Sequence, residues 1–276
     1  MTSTQEFIDD LTDKISMPDI YRQIRRSMDN PAVTIEAFEE LTLSDSQLSS
    51  SIIRIANSEF FGFERKVETL YDAICLIGVG QLHDLLLAGL CMRTFSNIKG
   101  QSENYLKAHW RQAVKQGIAA LSVARFCRMP SSNQFFTVGF LLEIGHAAML
   151  VSAAELTFES FYESQRKQCP VHIMERTLFG FDHCQLGADL LRHWQLPEFY
   201  PQVIEYHLYP ERAKPNIRKE TEVAYLAHWF CGSSNTEEHR STGLLDSQQE
   251  VTVKQTINQE IVDHADDVYA LLIPSK

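Results

Sequence analysis

An all-α fold follows from three features of the sequence. Apolar residues recur at three- and four-residue spacing through almost the whole chain, the pattern of one buried helix face. Alternating runs flanked by Asn-Gly or Asp-Gly turns, the mark of strands and hairpins, are absent. Helix-capping residues punctuate the periodic segments. At 276 residues and 44% hydrophobic composition, the chain can bury one large core or two smaller ones.

The elements can be placed in order. Thr4 to about Ile15 and Pro18 to Met28 form the first two helices, the second stopped by Asn30-Pro31, because proline disfavours helical geometry in the residue before it. Thr34 opens a third. Ser44 with Gln47 reads as a capping box for a fourth, with Leu48, Ile52 and Ile55 on one face and an end near Asn57. Thr69 and Asp72 start a further helix that Gly78 closes in a left-handed conformation, and a long apolar helix runs from Gln81 to Phe95. The polar stretch Asn97 to Ser102 marks a boundary. Residues 1–100 are therefore assigned to an N-terminal helical lobe. Residues 101–232 form a second lobe, with helices over 103–127, 133–151, 155–167, 171–179, 183–193, 197–208 and 217–230. The segment 233–246, rich in Gly, Ser, Asn and charge, reads as a mobile loop, and 247–276 carries a C-terminal helix over 247–272.

Composition narrows function. Apolar stretches such as Leu85 to Leu90 fall short of the roughly 18 to 20 residues of a membrane span. The acidic start MTSTQEFIDD lacks the basic and apolar regions of a secretory signal, so a cytoplasmic protein without a membrane partner is expected. The six cysteines form no CxxC pair, which argues for free thiols in a reducing compartment and against structural zinc or disulfides. A net charge of −11 repels phosphate backbones. Arg22, Arg25 and Arg26 share a short helix with Tyr21 and Ile24 and read as a solvated face, so no nucleic-acid partner is expected.

Four stretches bear a resemblance to a known family. Ile52-Ile-Arg-Ile-Ala-Asn-Ser58 ends in an Asn-Ser pair. Thr69-Leu-Tyr-Asp-Ala-Ile-Cys-Leu-Ile-Gly78 follows it, then Gly139-Phe-Leu-Leu-Glu-Ile-Gly145 and Leu186-Gly-Ala-Asp-Leu-Leu-Arg-His-Trp-Gln-Leu-Pro197. In this order they resemble the HDOD (HD-related output domain) family of bacterial signal-transduction proteins over roughly residues 15 to 230. The motif positions are Asn57, Ser58, Gly78, Gly145, Trp194 and Pro197. Each also suits a structural role: Asn57 and Ser58 a helix end, the glycines backbone geometry or close packing, and Trp194 to Pro197 a helix corner. The resemblance implies two helical lobes, the second descended from HD-type phosphohydrolases.

Such hydrolases hold metal with His and Asp side chains converging from several helices. At the positions the resemblance assigns, this chain has Gln112 for the first histidine, two residues after Trp110, and Leu142-Glu143 for the defining His-Asp pair. His183 and His207 stand at later histidine positions, and His228 stands where an aspartate is expected. His109 lies three residues before Gln112 and points elsewhere. Glu143, His183, His207 and His228 thus form a degenerate set. Its expected role is a group of hydrogen-bonded histidines lining the old cavity, with no cofactor; one divalent metal is the alternative. Phosphate-loop and common hydrolase motifs are absent. Neighbouring Cys184 and His183 diverge by about 100 degrees on an ideal helix and are not read as a catalytic pair.

The leading expectation is a non-enzymatic signalling protein that acts through a protein partner. A metal-dependent phosphohydrolase using the reduced histidine set is the first competitor. The second is a nucleotide sensor using the former catalytic cavity, with Arg111, Lys115 or Arg192 supplying positive charge. Phe60, Phe61 and Phe63 offer a partner-binding surface in the first lobe if they are exposed. The last helix, with Ile257, Ile261, Val268 and Leu272, either packs back or self-associates, and oligomeric state is left open.

Overall fold

Ser3 begins the first helix by accepting from the Glu6 N–H while the Glu6 carboxylate accepts from the Ser3 N–H, a reciprocal cap. This computed structural model describes residues 3–28, 34–61, 65–96, 98, 101–232 and 239–273. They are helical, with no strand among the described residues, as the apolar periodicity predicts. The chain divides into two compact units, residues 16–97 with 266–276, and residues 1–15 with 98–265. The units divide at 97/98 and at 265/266, and the first helix, α1 (Thr4–Thr12), clusters with residues 98–265. Its Thr4 hydroxyl donates to Asp189 at 2.7 Å, and Phe7 packs edge-on against Phe179 and Phe181.

The 16–97 unit contains α2 (Asp19–Met28), α3 (Ile35–Leu43), α4 (Ser46–Ala56), α5 (Leu70–Ile77) and α6 (Val79–Thr94). Thr34 and Thr69 cap α3 and α5 as their positions predict. The cap of α4 is Asp45 rather than Ser44: its carboxylate accepts from the N–H groups of Gln47 and Leu48 at 3.1 and 3.0 Å. Ser44 instead closes α3 by donating to the Leu41 carbonyl. The carboxylate is the stronger acceptor for the positive end of a helix. Gly78 has φ 80° but ψ 145°, so it is extended on the glycine side of the map rather than left-handed helical, and α5 and α6 diverge there by 107°. Asn30 and Pro31 lie outside the described residues.

Asn57, at the end of α4, brackets the chain ten residues on. Its amide donates to the Ile53 and Val67 carbonyls at 3.0 and 2.9 Å, and its oxygen accepts from the Val67 N–H at 2.9 Å; Ser58 N–H continues the turn to Ile55. Phe60 and Phe61 are buried against each other, ring centroids 4.9 Å apart. They are not an exposed partner surface, because burying their rings removes more apolar area from water than any exposed arrangement could. Phe63 lies outside the described residues.

The larger unit adds α7 (Gln101–Phe126), α8 (Gln134–Leu141), α9 (Ile144–Ser152), α10 (Ala154–Lys167), α11 (Val171–Leu178), α12 (His183–His193), α13 (Phe199–Tyr206), a 3₁₀ turn at Pro210–Arg212, α14 (Arg218–Phe230) and most of α15 (Ser247–Leu272). The helix expected over 133–151 is broken at Leu142-Glu143. By composition residues 134–152 could cross a membrane, but 89% of that window is buried inside the protein. Among the described residues three helices end on left-handed residues that are not glycine, Arg128, Gln168 and Gln195. At each its own N–H and that of the next residue reach back to the last turn, as Gln195 does to Arg192 and Leu196 to Leu191, closing the helix. Trp194 and Pro197 flank the last of these corners, Trp194 buried and Pro197 accepting from the Tyr200 N–H.

Of the segment read as a mobile loop, residues 233–238 lie outside the described residues. Residues 239–246 are pinned: His239 stacks on Trp229 at 4.8 Å, the Arg240 N–H donates to the Tyr225 hydroxyl at 2.7 Å, and Leu245 is buried. In α15, Val253, Ile257, Val268 and Leu272 are buried, so that helix packs back.

Candidate functional site

The α8–α9 break aims a carboxylate inward. Glu143 takes φ −105° and ψ 19° between the two helices, a conformation that turns its side chain off the helical track. Two residues on, Gly145 allows α9 to meet the start of α12, where an added Cβ would lie 2.0 Å from the His183 carbonyl oxygen. Asp182 caps α12 by accepting from the Gln185 N–H at 2.9 Å and is itself paired with Arg176 at 2.5 Å. His183 is therefore fixed as the first residue of its helix.

Glu175, on α11 and fully buried, joins the parts. Its Oε2 accepts from the His183 Nδ1 at 2.7 Å, and its Oε1 lies 2.5 Å from His146 Nε2. The other His146 nitrogen, Nδ1, lies 2.6 Å from Glu143 Oε2. Both ring nitrogens of His146 face carboxylates, so both must carry hydrogen and the ring is an imidazolium. Burial alone would lower its pKa, but Glu175 and Glu143 outweigh that and raise it to about 10. Burial would raise both carboxyls, yet the His146 and His183 rings hold them below the usual carboxylate range. Glu143 Oε1 accepts from His228 Nδ1 at 3.0 Å and from the Gln116 amide at 3.4 Å.

The sequence-assigned residues Glu143, His183, His207 and His228 come together here, with His183 and His207 ring centroids 5.9 Å apart and His207 and His228 5.4 Å apart. Asn57, Ser58 and Gly78 belong to the other unit. Leu142 is buried and apolar. Gln112 donates to the Cys231 carbonyl at 3.3 Å. His183 Nε2 and the Cys184 sulfur are 3.4 Å apart, a contact the ideal-helix argument excludes; the clamp of Glu175 on the other side of the ring turns it toward its neighbour. Burial pushes the Cys184 thiol well up, so it stays a protonated donor and not a nucleophile. His146 and Glu175 escape the sequence reading. The signals were a histidine directly after Gly145 and an acidic residue sharing a buried helix face with His172.

Among the described residues three donor sets could hold a metal ion: Glu143 with His207 and His228, Glu143 with His146 and His183, and His183 with Cys184 and His207, the ligand atoms of each within 4.8 Å of one another. The second would need a nitrogen of His146, both of which are engaged. In the first, His207 Nδ1 donates to the Ile204 carbonyl at 2.7 Å while its Nε2 is buried without a hydrogen-bond partner. Burial lowers its pKa to about 3, leaving a neutral ring with a bare lone pair, the state of a metal-ligating imidazole held by an outer acceptor. The residues present therefore fit one cation bound by two imidazoles and a carboxylate.

Glu143, His146, His183 and His228 form the floor of a cavity of about 780 Å³ with Tyr105, Gln112, Phe161 and Gln165 in its walls. Arg111, Lys115 and Arg192 are not among its lining residues. Arg192 is engaged with Asp189, Glu198 and Glu205, so the cations expected for a nucleotide phosphate are elsewhere.

Comparison with known proteins places the fold. An HDOD domain protein of unknown function from Geobacter sulfurreducens has a similar structure, with a TM-score of 0.76 at 19% identity, covering 98% of this chain and 95% of that one. A protein from Shewanella amazonensis SB2B provisionally described as a phosphohydrolase gives a TM-score of 0.73 at 18% identity, with 96% and 97% covered. An uncharacterized protein of Treponema pallidum (strain Nichols) is 23% identical over 225 residues, 78% of this chain, which spans 43% of that protein's length. The HDOD domain family model matches residues 15–210, and the chain belongs to the HDOD family.

Proposed function

We propose that this protein is a non-catalytic HDOD regulator, acting through a protein partner, in which the former hydrolase centre has become a charge-locked core. The observation that carries this reading is the chain Glu143–His146–Glu175–His183. A hydrolytic metal needs carboxylates free to ligate and a coordination position left for water. Here both buried carboxylates are already engaged by imidazoles, and the position of a ligand histidine is filled by Leu142. The experiment is turnover of bis(p-nitrophenyl) phosphate and of nucleoside monophosphates by the full chain with added manganese, nickel or zinc. Rates equal to metal-matched buffer are expected. Turnover that His207→Ala abolishes would overturn the reading. The partner half of the proposal is tested by in-cell crosslinking of the full chain, and it fails if no protein is captured reproducibly above an unrelated acidic control.

A metal-dependent phosphohydrolase is the second reading, favoured by the bare Nε2 of His207 beside Glu143 and His228. When bound, a divalent cation there would supply Lewis acidity and an activated water. Glu143, His207 and His228 would hold it, while Ile204 fixes the His207 tautomer. Calorimetric titration with manganese and zinc separates the readings: stoichiometric binding lost in His207→Ala supports a metal site, and its absence removes it.

A further inference from the structure

The cavity above the cluster has a chemistry of its own. Its volume, about 780 Å³, lies within the range of roughly 300 to 1,000 Å³ typical of small-molecule sites. Among the described residues no lysine or arginine lines it. The one cationic side chain it touches, His146, is held between two carboxylates, and Glu143 adds negative charge at the floor. A phosphate entering here would meet repulsion without a compensating guanidinium or ammonium group.

What the walls do offer is neutral and planar. Gln112, Gln116, Gln165 and Gln168 all line the cavity; the amides of Gln112, Gln116 and Gln168 already donate to the Cys231 carbonyl, Glu143 and the Gln165 carbonyl, and the carboxamide of Gln165, at the rim, offers a donor and an acceptor side by side, the complement of an amide or amidine edge on a heterocycle. Tyr105, 52% exposed, and Phe161 supply aromatic faces, and bases stack on such faces whatever their identity. His109 also lines the cavity, and its Nε2 is buried with no hydrogen-bond partner, an expense that a ligand atom would relieve. Burial lowers the His109 pKa to about 4, so the ring is neutral at physiological pH.

We infer that this cavity binds an uncharged planar nitrogen heterocycle, a nucleobase or its nucleoside, through the Gln165 carboxamide and His109, and rejects the phosphorylated form. The inference gives the proposed regulator its input, and it rests on the reading of the floor as non-catalytic.

The test is calorimetric titration of the full chain with adenine, hypoxanthine and uracil, with adenosine, inosine and uridine, and with the three 5′-monophosphates. Saturable one-to-one binding of at least one base or nucleoside is expected, with its monophosphate at least tenfold weaker. The base and nucleoside arms tell which of the two sources is preferred. His109→Phe, which keeps the ring plane, and Gln165→Leu, on the exposed rim, should each weaken binding at least fivefold. If His109→Phe fails to fold, Gln165→Leu alone decides. No saturable binding by any base or nucleoside, a monophosphate that binds as tightly as its nucleoside, or binding untouched by the substitutions would each overturn the inference. Phosphodiester turnover would sink the non-catalytic reading while leaving these titrations to stand or fall by themselves.

Discussion

Glu175 holds His183 twice: one oxygen, Oε2, accepts from both the backbone N–H at 3.0 Å and the ring Nδ1 at 2.7 Å. One carboxylate thereby sets where α12 begins and which way its first ring points. The same group's other oxygen holds His146, so three packed helices meet at a single buried charge.

Removing that charge should be costly. Glu175→Ala leaves His146 and His183 facing a void, and breaking a buried pair by deleting one partner typically costs about 3 to 5 kcal/mol. Glu175→Gln keeps the shape and should cost less. Urea unfolding checks both, and equal small losses would mean the network contributes little.

Stability should depend on pH in a bell shape. His146, raised from 6.5 to about 10, contributes fully below its unfolded value and loses that contribution as pH rises through about 10. Glu143 and Glu175 are lowered from 4.5, so their contribution is present above that value and is lost as pH falls. His207, lowered to about 3, adds to the acid loss, since only the unfolded chain takes up its proton between 6.5 and 3. The maximum should lie near neutrality, and the alkaline arm should begin well before thiol titration. Its slope should approach one proton, about 1.4 kcal/mol per pH unit, and His146→Gln should flatten it.

Gly145→Ala places a methyl group 2.0 Å from a backbone oxygen, so α9 and α12 must separate. A loss of at least about 3 kcal/mol is expected. Gly80→Ala is the control: nothing lies within 4 Å of the new carbon, on a helix, and a gain of up to about 1 kcal/mol is expected. Thermal melts of the two should shift in opposite directions.

Asn57→Ala removes three hydrogen bonds to Ile53 and Val67. Because the site is partly solvated, a loss of about 1 to 3 kcal/mol is expected, with hydrogen exchange accelerated first at Val67. Unchanged exchange there would show that the bracket is redundant.

The helices were legible where apolar spacing and caps agree, as in α12 and α15, whose bounds match the sequence reading. The α8–α9 break was not, because apolar residues continue through Leu141, Leu142 and Ile144 and periodicity cannot register a turn between two buried segments. Asp45 against Ser44 was a choice between adjacent cap residues that only acceptor strength decides. In the site, Glu143, His183, His207 and His228 could be listed from ligand positions, but His146 and Glu175 could not. Their pairing spans 29 positions and is a tertiary event with no local pattern. The burial of Phe60 and Phe61 is of the same kind.

A proton is always in supply, whereas a transition metal must be acquired. By seating the His146 imidazolium between Glu143 and Glu175, the chain carries its own counter-ion at the heart of the lobe. On the non-catalytic reading a chelator that would unravel a core built on zinc or iron finds nothing to remove from those three side chains, and metal starvation should leave this part of the fold standing.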